Sequence, residues 1–191
     1  MEEDPVGAGG RSFNLIDVRK FFKILNAQKG MTVVDLACGY GHYSFELSKT
    51  VGDKGVVYAI DLWEKGIKTI ENKIEEKGIT NIRPVRADVS QKIPLDDQAV
   101  DLCLMATVLH DLLQDHTHEG TLKEVHRIIK RDGALAVIEF KVIDGPPGPP
   151  KKIRIDPKRT EDIIRPFGFS LDSTTDLGPY TYTSIYRKTD G

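Results

Sequence analysis

The sequence predicts an α/β fold in which helices cover both faces of an open, mainly parallel β-sheet. Short, nearly continuous apolar segments alternate along the chain with amphipathic helical segments, and this alternation is typical of parallel strands buried on both faces. The chain closes on two strand-like segments, "FSLDSTT" and "YTYTSIYRK". Aromatic or apolar residues alternate with polar ones in the second segment, which favours an antiparallel pair at the end of the chain.

The N-terminal region is predicted to be a tail followed by a helix. Residues 1–11 are expected to be mobile, and residues 12–191 are expected to form a single domain. Ser12 is a suitable N-cap for a helix that ends near Gly30. The apolar residues of this helix recur at spacings of three and four: Leu15, Val18, Phe22 and Leu25.

Five buried strands are predicted next, separated by helices. Their sequences are "MTVVDLA", "VVYAIDL", "NIRPVRAD", "AVDLCLMATVL" and "ALAVIEFKVI". The third strand contains Pro84, which has no backbone N–H to donate, and this favours a position at the edge of the sheet. Gly78 is expected to end the helix before that strand. The helix between the fourth and fifth strands is expected to end in the basic residues Lys130 and Arg131.

The segment after the fifth strand, "DGPPGPP", is too rich in proline and glycine for a regular element and is predicted to be a surface loop. A basic run from Lys151 to Arg159 follows it, for which a solvated approach to a helix is the favoured interpretation. Asp156 can cap that helix, with Pro157 at its first position.

Composition and charge narrow the class of protein. A formal net charge of -2 and a pI near 6.2 give no electrostatic case for a nucleic-acid partner. No apolar run approaches the roughly 20 residues that a membrane helix needs. The two cysteines do not indicate a disulfide framework, so a reduced, cytoplasmic protein is expected. The oligomeric state is left open, and a homodimer is compatible with the sequence.

Acidic residues and glycines stand where the first three predicted strands end. Asp35 and the stretch from Ala37 to Gly41 close the first strand, Asp61 the second and Asp88 the third. Ligands of open parallel sheets bind beyond the carboxyl ends of the strands, so these residues are expected to form a binding site. A carboxylate at the end of the second strand suits the two hydroxyl groups of a ribose, since its oxygens accept two hydrogen bonds.

These stretches, "VVDLACGYG", "VVYAIDLW", "VRADVSQKIPL" and "VDLCLMATVLHDL", resemble the ordered motifs of class I S-adenosylmethionine-dependent methyltransferases. The resemblance implies a Rossmann-like, three-layer α/β/α sandwich whose seven-stranded sheet ends in an antiparallel strand. It implies S-adenosylmethionine as the cofactor and a small molecule as the methyl acceptor. The residues expected around the cofactor are Asp35, Ala37, Cys38, Gly39, Gly41, Asp61, Leu62, Trp63, Asp88, Val89 and Ala106.

The candidate catalytic residues lie just past the fourth strand. His110, next to Asp111, stands where the family faces the transferred methyl group, and histidine has a pKa suited to a general base near neutral pH. A solvated histidine at a helix end is the alternative. His116 and His118 stand beside Asp115 and Glu119 but have no distant Cys or His partner, so no metal site is predicted.

Other functions remain open at this point. A nucleic-acid or protein methyltransferase and a non-catalytic, cofactor-binding subunit are the main alternatives. A dinucleotide-dependent oxidoreductase is less favoured, because Asp35 would oppose the negative pyrophosphate whereas it favours a sulfonium and an α-ammonium group.

Overall fold

The computed structural model of the chain describes residues 12–189, and the predicted tail, residues 1–11, lies outside the described residues. The strands are β1 (Thr32–Leu36), β2 (Val56–Asp61), β3 (Ile82–Arg86), β4 (Val100–Ala106), β5 (Ile129–Phe140), β6 (Phe169–Asp176) and β7 (Thr181–Lys188). The helices are α1 (Val18–Leu25), α2 (His42–Val51), α3 (Glu64–Lys77), α4 (Leu109–Gln114), α5 (His118–Ile128) and α6 (Pro157–Ile164). Over residues 12–189, no helix is long and apolar enough to cross a membrane.

The seven strands form one sheet in the order β3-β2-β1-β4-β5-β7-β6. Strands β1 to β5 are parallel, and β7 runs antiparallel to both β5 and β6. The predicted closing pair is therefore confirmed. Pro84 lies in β3 at the sheet edge, as its missing N–H predicts.

Helices cover both faces of the sheet, which confirms the three-layer prediction. One apolar cluster joins β-strand residues to α1, α2 and α3, through side chains such as Phe21, Leu47 and Ile70. The other cluster joins the opposite face to α4, α5 and α6, through side chains such as Leu109 and Val125. Both clusters consist of buried residues, so burial of apolar area on each face holds the helices on the sheet.

The first helix is shorter than predicted. Asp17, rather than Ser12, is its N-cap and accepts a hydrogen bond from the Lys20 backbone N–H at 3.0 Å. The helix ends at Leu25, where Asn26 adopts a left-handed backbone as the C-cap. Ser12 instead precedes a short 3-10 turn, so its prediction as the helix cap is wrong.

Two predicted boundaries around the fourth and fifth strands are also wrong. Strand β4 ends at Ala106, and Thr107 has a φ of 55°, which takes the chain out of the strand toward α4. Helix α5 ends at Ile128, so Lys130 and Arg131 belong to β5 rather than to the helix. Apolar periodicity does not mark where a buried strand gives way to a helix or where a helix gives way to a strand. This explains both errors.

Candidate functional site

The candidate site lies at the carboxyl ends of β1, β2 and β4, where the order of strands reverses. The chain moves outward from β1 to β3 and then returns to place β4 on the other side of β1. Open α/β sheets bind ligands at such a reversal, so a crevice is expected between the loops after β1 and β4. Three acids lie near this edge on neighbouring strands: Asp35 is the fourth residue of β1, Asp61 is the last residue of β2, and Asp88 stands two residues after β3.

The loop after β1 is built from left-handed backbone. Ala37, Gly39 and Gly41 have φ values of 56°, 55° and 73°. Such values are uncommon for alanine, so Ala37 holds a strained conformation that the neighbouring glycines adopt freely. A Cβ on Gly41 would come within 2.9 Å of the Ile70 side chain, so helix α3 packs closely on this loop.

Asp61 connects the glycine loop to the start of α3. Its Oδ2 accepts a hydrogen bond from the Gly39 N–H at 2.7 Å, and its Oδ1 accepts one from the Trp63 N–H at 2.8 Å. Each carboxylate oxygen has a second lone pair that can accept from a ligand hydroxyl. The Trp63 ring contacts Tyr40 edge to face at 4.7 Å, so an aromatic wall stands beside the carboxylate.

Asp35 is buried inside the site, with an exposed fraction of 1%. Its Oδ2 accepts a hydrogen bond from the Ser44 hydroxyl at 2.5 Å. Burial raises the pKa of Asp35 to about 7, although the hydrogen bond from Ser44 lowers it, and the nearby charge of Asp61 raises it further. The group is therefore half protonated near neutral pH.

We expect Asp35→Asn to remove a pH dependence of stability. The pKa of Asp35 rises from 3.8 to about 7 on folding, so its contribution is fully present below pH 4 and is lost as pH rises toward 7. The difference in free energy of unfolding between variant and wild type should shift by about 3 kcal/mol in favour of the variant between pH 5 and pH 8. Urea unfolding at several pH values measures this shift. The exposed Asp53→Asn is the control, and a difference that stays constant with pH for Asp35→Asn would contradict the expectation.

The remaining predicted cofactor residues occupy the same edge in different ways. Asp88 Oδ1 accepts from both the backbone N–H and the hydroxyl of Ser90, at 2.9 and 2.7 Å, so its carboxylate is held in a turn. Val89 is buried within the apolar cluster of α4, α5 and α6. Leu62 is 59% exposed, a large apolar side chain open to solvent. Ala106 and Cys38 are half-buried, at the end of β4 and in the glycine loop.

His110 belongs to a buried hydrogen-bonded pair that the sequence analysis did not foresee. Its Nδ1 lies 3.0 and 2.9 Å from the two carboxylate oxygens of Glu139, the penultimate residue of β5. The backbone N–H of His110 also donates to Glu139 Oε1 at 3.1 Å. Asp111 is closer to solvent, with its Oδ1 at 3.4 Å from His110 Nε2. The interpretation of His110 as a solvated residue is therefore wrong, because the side chain is buried.

The loop after β5 is organised by Arg154. Each of the five N–H groups of this guanidinium has a backbone carbonyl acceptor, on residues Lys141, Ile143, Gly145, Pro147 and Pro149, at 2.7 to 3.3 Å. The guanidinium also lies over the Phe140 ring at 5.6 Å. Arg154 is buried, so the interpretation of its basic run as solvated is wrong at this residue.

Three features of the site were not predicted from the sequence: the roles of Glu139 and Arg154 and the strained backbone of Thr107. Glu139 could have been noticed as the one charge in the apolar stretch "ALAVIEF", since a buried strand rarely carries an unpaired acid. Thr107 is β-branched and has a positive φ, a rare combination that tends to occur at functional sites. No sequence pattern indicates either the backbone of Thr107 or the partners of Arg154.

The groups at this edge of the sheet are chemically compatible with a nucleoside that carries positive charge. Asp61 offers free lone pairs at the tip of β2, the glycine loop allows a ligand close to the backbone, and Trp63 and Leu62 provide apolar area beside it. Among residues 12–189, no group of three or more His, Cys, Asp or Glu side chains is placed to hold a metal ion. The sheet order, the antiparallel β7 and a crevice of this kind define the Rossmann-like fold of class I methyltransferases.

A sequence model of the ubiE/COQ5 methyltransferase family matches residues 12–147, which is most of the chain. The chain belongs to this family. The match includes the glycine loop, Asp61, Trp63, Asp88, His110 and Glu139.

Curated relatives and a solved structure agree with this assignment. The demethylmenaquinone methyltransferase of Geobacillus stearothermophilus is 30% identical over 115 residues, which cover 60% of this chain and 47% of that protein. The ubiquinone/menaquinone biosynthesis C-methyltransferase UbiE of Shewanella sp. (strain W3-18-1) is 32% identical over 123 residues, 64% of this chain and 47% of that protein. The chain thus spans about half the length of these relatives. A SAM-dependent methyltransferase from Aquifex aeolicus is 30% identical, with a TM-score of 0.87 over 98% of this chain and 100% of that one.

Proposed function

We propose that residues 12–191 act as one S-adenosylmethionine-dependent methyltransferase domain with a small-molecule acceptor. The observation that carries this proposal is the crevice at the strand-order reversal, where Asp61 is joined to both the glycine loop and the start of α3. Membership of the ubiE/COQ5 methyltransferase family supports it. When bound, the cofactor supplies a methyl carbon activated by a sulfonium, and the protein's part is to orient the reactants and exclude water.

We also propose cofactor-binding roles for individual residues, and their placement at the strand ends supports these roles. Asp61 accepts the hydroxyl groups of the ribose on its second lone pairs, and Trp63 and Leu62 flank the adenine. The loop with Cys38, Gly39 and Gly41 lies along the methionine part. The other residues that we propose to surround the cofactor are Asp35, Ala37, Asp88, Val89 and Ala106.

The acceptor is proposed to be a quinone-type ring in its reduced, hydroxylated form, methylated at carbon. The names of the Geobacillus and Shewanella relatives support this choice. His110 is the proposed general base, with Asp111 beside it at the solvent side. We place the reaction in the cytoplasm, where the two thiols stay reduced.

Titration calorimetry with S-adenosylmethionine and its demethylated product tests the cofactor half of the proposal. Trp63, the single tryptophan, serves as a fluorescence reporter of the same binding. We expect binding of both compounds, and transfer of a labelled methyl group to a hydroxylated quinol. Binding without transfer to any acceptor in a metabolite extract would support a non-catalytic subunit instead. Binding of NADH in place of the methyl donor would overturn the proposal.

A further inference from the structure

Glu139 is a buried carboxylate whose hydrogen bonds go mainly to His110. Its side chain is 0% exposed, at the carboxyl end of β5. Its oxygens bond the ring and the backbone N–H of His110, and Oε2 also accepts from the Phe140 N–H at 3.2 Å. Burial of an acid is costly unless it is paired, so this arrangement indicates a specific role for the pair.

The pairing determines which nitrogen of His110 carries the proton. An ionised carboxylate only accepts hydrogen bonds, so Nδ1 must be the protonated ring nitrogen when the imidazole is neutral. Nε2 then presents a lone pair on the side of Asp111, whose carboxylate is 52% exposed. The backbone N–H of His110 also donates to Glu139, which holds the start of α4 against the carboxylate. Turning the ring away would break the contacts of Nδ1 with both carboxylate oxygens.

The charges around His110 come from three elements. Burial lowers the pKa of His110, but the hydrogen bond and the charge of Glu139 on β5 raise it, as does Asp111 on α4, while Arg154 before α6 lowers it. The net effect is a pKa above the ordinary 6.5. Tyr182 on β7 also faces Glu139, and its pKa is raised mainly by burial and further by that charge, so the phenol stays protonated.

We propose that Glu139 is the positioning residue of the methyl-transfer site, which holds Nδ1–H of His110 so that Nε2 removes a proton from the acceptor. The inference rests on the proposed function. Nε2 takes the proton of an acceptor hydroxyl, and the electron pair left on the acceptor is delocalised onto the attacking atom. That atom forms its bond to the methyl carbon as the carbon–sulfur bond breaks, with its electron pair remaining on sulfur. The imidazolium then releases this proton to solvent. For attack at carbon, the hydrogen on the newly methylated carbon is removed as a proton by the same Nε2 and released to solvent, and its electron pair restores the aromatic ring of the acceptor.

Nitrogen-detected NMR of histidine-labelled wild-type protein tests the geometry without any turnover. We expect the His110 signals, assigned with His110→Asn, to show the Nδ1–H tautomer and a pKa above 6.5. Glu139→Gln should lower that pKa, because the neutral amide no longer stabilises the imidazolium. An Nε2–H tautomer in the wild type would overturn the proposal even if Glu139→Gln failed to fold.

The pH dependence of kcat/KM links this geometry to the reaction. Glu139→Gln should move the acid limb to lower pH by the same amount as the His110 pKa, and reduce the rate on the alkaline plateau about tenfold, since a weaker base removes the proton less readily. Glu75→Gln, on the exposed side of α3, is the matched control and should change neither. If the acid limb of the kcat/KM profile stays at the same pH in Glu139→Gln, Glu139 has only a structural role. Loss of cofactor binding by the wild type, by contrast, would refute the proposed function and leave the NMR result standing.

Discussion

Asp61→Ala is expected to weaken binding of S-adenosylmethionine about 100-fold. The carboxylate would lose two charge-assisted hydrogen bonds to the ribose, which together correspond to about 3 kcal/mol. The same change frees the N–H groups of Gly39 and Trp63, so the glycine loop loses its connection to α3. Titration calorimetry measures the effect, with Trp63 fluorescence as an independent readout.

Two further variants separate these contributions. Asp61→Asn keeps the size of the side chain and one acceptor oxygen, so we expect an intermediate loss of affinity. Asp53→Ala removes the same charge from an exposed turn away from the strand tips and should bind normally. A dissociation constant for Asp61→Ala that matches the Asp53→Ala control would show that Asp61 does not hold the ribose.

Arg154→Met is expected to lower the free energy of unfolding by about 3 kcal/mol. Methionine keeps much of the volume but leaves five carbonyl groups without their donor, and unpaired polar groups near the protein interior are costly. If the loop opens, water can hydrogen-bond the freed carbonyl groups and part of this free-energy cost is recovered. Hydrogen exchange over residues 141–150 should therefore accelerate more than elsewhere. Chemical unfolding and hydrogen exchange together measure both effects.

The matched control for this prediction is Arg159→Met on α6, where the arginine is exposed and the substitution is the same. We expect that variant to stay within about 0.5 kcal/mol of the wild type. Arg154→Lys should resemble Arg154→Met, because an ammonium has three donors and cannot match the planar set of five. Equal stability of Arg154→Met and Arg159→Met would contradict the role assigned to the guanidinium. The loop packs on Phe140 at Gly148, and the Phe140 ring lies 6.2 Å from the His110 ring, so we also expect a raised KM for the acceptor.

The glycine loop and the strand-end acids could be predicted because each depends on local sequence. Asp61 closes an apolar run, and the glycines stand where only a residue without Cβ turns freely. The structure adds that Asp61 bonds this loop and that Asp35 is buried and bonded to Ser44. That burial depends on what packs over β1, and a one-dimensional pattern does not carry this information.

His110 and Glu139 show the limit of sequence reasoning most clearly. They are 29 residues apart, and only the parallel pairing of β4 with β5 brings the start of α4 next to the end of β5. Arg154 is similar, since its five acceptors lie along a loop whose path follows no periodic pattern.

The sequence by itself determined the α/β class and the parallel sheet with its antiparallel closure, and it predicted the edge of the sheet where we propose that a ligand binds. These follow from apolar periodicity and turn residues, which act over a few neighbours along the chain. Only the tertiary structure decided which acid is buried, which imidazole nitrogen is held and how the loop after β5 is supported. Each of those depends on hydrogen bonds between strands and loops that are distant in sequence, and folding alone brings them within reach.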